Sequence, residues 1–228
     1  MADASPRDDR STVVRVIFLG APGAGKGTQA ARLAGHLGVP KIGTGEMLRT
    51  AIAKETPLGQ KAHPYMEAGN LVPDDVLVAL VRERIAEPDC VRGFVLDGFP
   101  RTMPQARGLE EMTGGDPHAW IVFDIEVPRE VLMMRLSGRR WCPSCQATYH
   151  VVNDPPKREG VCDVCGTALV QREDDREAVV AHRLQEYDDR TFPLIEHYRT
   201  RARMAPVDGN RPMDAVFRDL LRALEVPA

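Results

Sequence analysis

The chain has 228 residues, 43% of them apolar and 28% charged, with a formal net charge of −3. That length suits one large domain or a core with insertions, and the mild acidity argues against a dedicated nucleic-acid surface. No run of about 18 apolar residues occurs, so no membrane span is expected, and residues 1–12 are polar and charged, without the apolar core of a secretory signal.

Residues 1–12 read as a frayed extension of a cytoplasmic protein. Val13 to Leu19 is apolar and β-branched, as in a buried parallel strand. Gly20-Ala21-Pro22-Gly23-Ala24-Gly25-Lys26-Gly27-Thr28 follows, and Thr28 to Leu37 then carries Ala and Leu at helical spacing. Strand, glycine loop and helix form the context in which backbone N–H groups turn inward around a phosphate. The helix start adds partial positive charge, and Lys26 adds a full one. The strict pattern places Ser or Thr directly after the lysine to meet magnesium. Here Gly27 stands there and the hydroxyl comes one residue later, at Thr28. Magnesium therefore needs another anchor.

Val39 to Ile42 reads as a short strand, with Thr44 capping a helix that begins near Gly45 and runs to Lys54. Thr56-Pro57 breaks the pattern, a second helix covers Gln60 to Glu67, and Gly69-Asn70 closes the unit. Pro73-Asp74-Asp75 opens another helix. Phe94 to Leu96 is a buried strand that places Asp97 at its carboxyl end, where ligands bind in open α/β sheets. Asp97 is the magnesium anchor that Gly27 fails to supply, and Arg101 points from the same rim toward a phosphate. Pro104 starts a short helix carrying Gln105.

Ala119 to Ile125 is a third strand and Pro128 to Leu136 a helix. The texture then changes to turn residues and short strands until about Asp175. Within that stretch lie Cys142-Pro143-Ser144-Cys145 and Cys162-Asp163-Val164-Cys165, sixteen residues apart. Two such pairs give the spacing of a closed, structural tetrahedral zinc site. A unit this small needs a staple of that kind. Cys90 lies outside the set and reads as a small buried hydrophobe. Asp174 to Glu177 opens a long helix bearing Arg183, which Pro193 ends or kinks. Met204 to Val207 is a last strand and Asp214 to Leu224 a closing amphipathic helix.

The whole pattern resembles a bacterial adenylate kinase of the long-lid variety, whose lid carries a four-cysteine zinc site. The resemblance covers residues 13–226 and rests on Gly20 to Thr28, Thr44 to Arg49, Leu96 to Arg101 with Gln105, Arg135 to Arg140, Tyr149-His150, and Arg172 to Arg183. It implies a P-loop NTPase fold: a parallel α/β sheet flanked by helices, with core 13–42, 73–137 and 176–228. It also implies a helical NMP-binding insertion at 43–72 and a zinc-stapled lid at 138–175. Lid closure is a property of that family and comes with the resemblance.

The implied reaction is ATP + AMP = 2 ADP, in adenine nucleotide homeostasis and salvage, by a monomer that uses Mg2+ with ATP and structural Zn2+. Carried over residue by residue, Gly23, Ala24, Gly25, Lys26, Gly27 and Thr28 hold the ATP phosphates, while Arg135 and Arg211 join the ATP site. Thr44, Arg49, Gly98, Arg101 and Gln105 hold AMP, with Arg49 and Arg101 on its phosphate and Gln105 on its base. Arg139, Arg172 and Arg183 close over the transferring phosphoryl group. Asp97 holds magnesium through water, and Asp174 and Asp175 orient the arginines. Cys142, Cys145, Cys162 and Cys165 bind zinc. The chain departs from the family pattern at Gly43, where Ser is usual, at Glu46, where Asp is usual, and at Glu173.

Three rival readings stay open at the level of sequence. A kinase for another nucleoside monophosphate would differ mainly around Thr44 and Gln105. A regulatory P-loop NTPase would hydrolyse rather than transfer. A zinc-ribbon nucleic-acid module would need a basic cysteine unit, yet residues 142–165 carry Lys157 and Arg158 against Asp154, Glu159 and Asp163.

Overall fold

A computed structural model describes residues 13–225. Strand β1 (Val14–Leu19) leads through the glycine loop into helix α1 (Lys26–Leu37). β2 (Lys41–Gly43), α2 (Thr44–Ala53), α3 (Pro57–Ala68) and α4 (Asp74–Ile85) follow. Next come β3 (Gly93–Asp97), α5 (Met103–Met112), β4 (Trp120–Glu126) and α6 (Arg129–Ser137). The cysteine unit contributes the antiparallel pair β5 (Arg139–Trp141) and β6 (Thr148–His150). The chain ends with α7 (Glu177–Glu186), α8 (Pro193–Arg199), β7 (Arg203–Asp208) and α9 (Met213–Glu225).

Five strands form one parallel sheet in the order β2-β3-β1-β4-β7. Period-two alternation along β1 sends Ile17 and Leu19 into one core and Val16 and Phe18 into the other. The first core adds Leu96, Phe99, Trp120 and Tyr198, and the second adds Phe123, Leu136, Leu184 and Leu220. Helices thus cover both faces, as a parallel sheet requires. β1 pairs with β3 on one side and β4 on the other, so the connections diverge at its carboxyl end. That divergence opens the ligand crevice directly over the glycine loop.

Two local expectations are corrected, at Thr44 and at Asp174. Thr44 does not cap α2; it is the first helical residue, Gly43 precedes it without a side-chain cap, and the Thr44 hydroxyl donates to the Gly98 carbonyl at 2.8 Å. The helix is interrupted ahead of Pro193, as expected: α7 stops at Glu186. A π-helical turn over Tyr187–Thr191 carries the chain onward, and Pro193 sits at the start of α8, where its missing N–H costs nothing. The opening at Asp174 is a separate 3₁₀ turn over Glu173–Asp175, ahead of α7.

The cysteine unit has a very small core of Cys142, Tyr149 and Cys162, with Ala147 and Leu169 against it. Each cysteine pair forms the same knuckle. Gln146 N–H donates to Cys142 O and Gly166 N–H to Cys162 O, both at 2.9 Å. Cys142 N–H donates to Ala147 O and Cys162 N–H to Thr167 O, again both at 2.9 Å. Both knuckles close on a left-handed residue, Gly166 at φ 74° and Gln146 at φ 64°. That conformation costs a non-glycine residue about 1–2 kcal/mol.

Candidate active site

The carboxyl edge of the sheet gathers the predicted phosphate ligands. Gly23 and Gly25, at φ 86° and 96°, turn the loop in the left-handed region. Lys26 heads α1 and folds back so that Nζ donates to the carbonyls of Gly20 and Ala21 at 2.7 and 2.8 Å. A side chain at Gly27 would place its Cβ 3.1 Å from Asp97 Oδ2. The carboxylate thus lies against the position that lacks the expected hydroxyl, and Gly27 leaves room for it. This placement fits an acid serving as the magnesium anchor.

Glycines also make room for the arginines. A Cβ at Gly98, where φ is +77°, would meet Arg101 Nη2 at 2.6 Å and Thr44 Oγ1 at 3.3 Å. Arg101 Nε donates to Gly98 O at 2.8 Å. A Cβ at Gly45 would lie 3.2 Å from Arg49 Nη2. Arg49 Nε and Arg172 Nε are buried with no hydrogen-bond partner among the described residues, and the Arg172 guanidinium lies 5.5 Å from the centre of the Trp141 ring.

Asp175 is fully buried and organises the far side. Arg139 grips it with two bonds, Nε to Oδ2 at 2.7 Å and Nη2 to Oδ1 at 2.5 Å. Arg183 Nη1 reaches the same Oδ1 at 2.9 Å and Asp174 Oδ2 at 3.1 Å. Such forks fix both position and plane of a guanidinium. The structure therefore brings Lys26, Arg49, Arg101, Arg139, Arg172 and Arg183 into one electrostatic cluster with Asp97, Asp174 and Asp175.

Positive charge is in excess there, and the titrations follow. Burial pushes Lys26 down to about 7; Asp97 works against this, while Arg101, Arg183 and Arg139 add to it. Burial, with repulsion from Arg139 and Arg49, takes Arg172 down to about 9. Arg49 and Arg101 are lowered as well, burial again leading. Burial alone would raise Asp174, but Arg183, Arg139, Arg49 and Arg172 overcome it and hold the carboxyl below its ordinary value.

Not every predicted residue joins the cluster. Arg135 Nη2 donates to Gly209 O at 3.0 Å, and Arg211 is exposed and paired with Asp219. Gln105 is fully buried; its Oε1 accepts from Arg101 N–H at 2.8 Å and its Nε2 donates to Asp74 Oδ1 at 2.7 Å. Thr102 Oγ1 also donates to Asp74, at 2.8 Å. Asp74, which opens α4, thus also buttresses the segment carrying Arg101. His150 brackets the turn after β6: its Nδ1 accepts the Val152 and Asn153 N–H groups at 3.1 and 3.0 Å, and its ring packs on Gly138.

The departures at positions 43 and 46 are linked in space. A Cβ at Gly43 would come within 3.2 Å of Glu46 Oε2, and Glu46 pairs with Lys41. The longer acid at 46 occupies the room that a side chain at 43 would take.

The four knuckle sulfurs of Cys142, Cys145, Cys162 and Cys165 lie within 4.8 Å of one another, all as free thiols. Metal–sulfur bonds of about 2.3 Å in a tetrahedron put sulfurs about 3.8 Å apart, so the set fits a four-thiolate metal. Hydrogen bonding with the Thr167 hydroxyl and backbone brings Cys165 down to about 6, while Cys145 moves the other way: its backbone bond with Ala147 is outweighed by burial and by hydrogen bonds with the other three cysteines, which push it up to about 12. Tyr149 supports the site from outside. Its OH lies 3.5 Å from Cys162 Sγ and accepts the Asp163 N–H at 2.8 Å.

Comparison with known proteins gives this geometry its family. Residues 18–203 match the family described as adenylate kinase. The chain belongs to the adenylate kinase family. It is 51% identical over 205 residues to the adenylate kinase of Syntrophobacter fumaroxidans, covering 90% of this chain and 96% of that one. The Moorella thermoacetica adenylate kinase is 49% identical over 212 residues, 92% and 98% of the two chains. That of Archaeoglobus fulgidus is 46% identical over 213 residues, 93% and 98%. In this chain, no helix of the described residues is long and apolar enough to cross a membrane. The five-stranded parallel sheet fits the P-loop form of the family, and the cysteine cluster occupies the lid position.

Proposed function

We propose that the chain catalyses reversible phosphoryl transfer, ATP + AMP = 2 ADP, by closing two mobile units over the glycine loop. Family membership makes it a phosphotransferase that interconverts ATP, AMP and ADP. The observation that carries the finer reading is the half-buried cationic cluster of Lys26, Arg49, Arg101, Arg139, Arg172 and Arg183 around Asp97. Transfer between two phosphates demands in-line placement and positive charge around the moving group, with little covalent chemistry. AMP's own phosphate oxygen is already ionised, so the site needs no strong base.

In this reading the N–H groups of residues 23–28 and Lys26 hold the ATP phosphates, with Arg135 and Arg211 on the nucleoside side. Arg49 and Arg101 hold the AMP phosphate, flanked by Thr44 and Gly98, and Gln105 keeps one amide N–H for the base. Arg139, Arg172 and Arg183 stabilise the phosphoryl group in flight, the first and last held in place by Asp175. Asp97 positions Mg2+ through water; that ion, when bound, neutralises charge on the β- and γ-phosphates. Residues 43–72 form the AMP-binding unit and 138–175 a lid stapled by structural zinc on the four cysteines. Together they exclude water, which prevents ATP hydrolysis. The reading extends to a cytoplasmic monomer, as the resemblance implies.

Reversibility gives a direct test. Protein supplied with Mg2+ and ADP alone is expected to produce ATP and AMP in equal amounts. Failure to form ATP would remove the proposal.

Lys26 supplies a second expectation. Phosphate oxygens favour its charged form, so its value rises from about 7 when ATP binds. Between those two values the complex holds more protons than the free protein. ATP binding therefore takes up protons above pH 7, and affinity falls as pH rises through that window. Calorimetry in buffers of different ionisation enthalpy measures the uptake; a buffer-independent heat at pH 8 would contradict it.

A further inference from the structure

The cysteine unit and the α2–α3 unit face one another across a cleft of about 800 Å³, lined by Glu46, Met47, Thr50 and Lys54 on one side and Ser144 and Gln146 on the other. Among the described residues one hydrogen bond spans it: Gln146 Nε2 donates to Thr50 Oγ1 at 2.8 Å. A hydroxyl both donates and accepts, so the bond stands whichever way the amide is turned. The bond joins the turn after β5, which carries Arg139, to the helix that carries Arg49.

Gln146 is an odd choice for its place. The knuckle needs a left-handed residue there, and the twin knuckle meets that need with Gly166, whose surroundings leave open space for a Cβ. The two knuckles share the same hydrogen bonds. Nothing in the metal-binding turn calls for a glutamine, and its backbone conformation disfavours one. What the side chain does is reach Thr50.

We propose that Gln146 is a positioning residue, a latch that holds the cysteine unit closed on α2 while Arg139 and Arg49 act on the same substrates. The inference rests on the kinase reading above and adds to it a specific closing contact. A single neutral hydrogen bond beside a wide cleft makes the closed state reversible, so the latch favours closure without trapping product.

The test compares Gln146→Gly, Thr50→Val, Thr50→Ser and the double variant Gln146→Gly/Thr50→Val. Each of the first two is expected to raise KM for AMP about three- to tenfold, the worth of one net hydrogen bond, with kcat not lowered. Thr50→Ser keeps the hydroxyl and stays near wild type. The double variant is no worse than the worse single one, because both remove one bond. Melting temperature separates this from damage to the knuckle, since Gln146→Gly relieves the left-handed strain and holds or raises it. Unchanged KM in both single variants, additive effects in the double, or a fall in the melting temperature of Gln146→Gly would overturn the latch. Small-angle scattering reads closure without turnover, as AMP is titrated against a non-hydrolysable ATP analogue. The midpoint of contraction shifts by the same factor in Gln146→Gly, and coincident midpoints overturn the proposal. Wild-type protein that contracts but forms no ADP would sink the kinase reading alone.

Discussion

Arg139→Ala lowers kcat about a thousandfold while weakening ATP binding less than about tenfold. The asymmetry follows from where the guanidinium is held. Asp175, fully buried, takes both Nε and Nη2 of Arg139, so the side chain is anchored before substrate arrives. Preorganised charge of this kind acts on the charge that develops in transfer, and a transferred-phosphoryl arginine is worth about 10³–10⁵ in rate. Isothermal titration with the non-hydrolysable ATP analogue and single-turnover kinetics separate the two quantities. Equal losses in both would make Arg139 a ground-state binder. The same anchoring makes Asp175 expensive to remove. Its loss leaves Arg139 and Arg183 without their shared partner, in a site already short of negative charge.

Chelator treatment that strips the proposed metal is expected to lower the melting temperature by more than about 10 °C before it changes the chemistry of the core. The core of the cysteine unit is little more than Cys142, Tyr149 and Cys162, and so little apolar surface cannot offset the ordering entropy of about 38 residues. Thiolate–metal bonds at the proposed site would supply the missing free energy, because the ligand set forms only in the folded unit. The sheet has its own two cores and outlasts the loss. Calorimetry of chelator-treated and metal-reconstituted protein checks this. A treated protein with an unchanged melting temperature and no activity would contradict a structural metal.

Local patterns made much of this legible from sequence. The glycine loop, the two cysteine knuckles and the strand ending at Asp97 each announce themselves within about ten residues, because backbone turns and ligand spacing are set by near neighbours. The structure places Asp97 against Gly27, the position that lacks the magnesium-binding hydroxyl of the strict pattern. Partners far apart in the chain were harder to read. Thr44 looked like a cap because its hydroxyl's true acceptor, Gly98 O, lies 54 residues away. Asp74 gave no sign that Gln105, 31 residues on, would donate to it. At Pro193 the local rule was sound but incomplete. A π-helical turn at Tyr187–Thr191 shifts the register so that the proline falls where a helix start accepts it. Gln146 carried a visible hint, since the other knuckle has glycine after its second cysteine, but the meaning of the difference needed Thr50 across the cleft.

The most direct measurement of the central claim is ADP formation from Mg-ATP with AMP, CMP, UMP, GMP or water as acceptor. The half-buried cationic cluster, the lid position of the cysteine unit and the proposed role of Gln105 toward the acceptor base predict rapid turnover with AMP and little with the rest. Preferential turnover of another monophosphate would contradict the assignment of the acceptor, and phosphate release with water alone would contradict transfer itself.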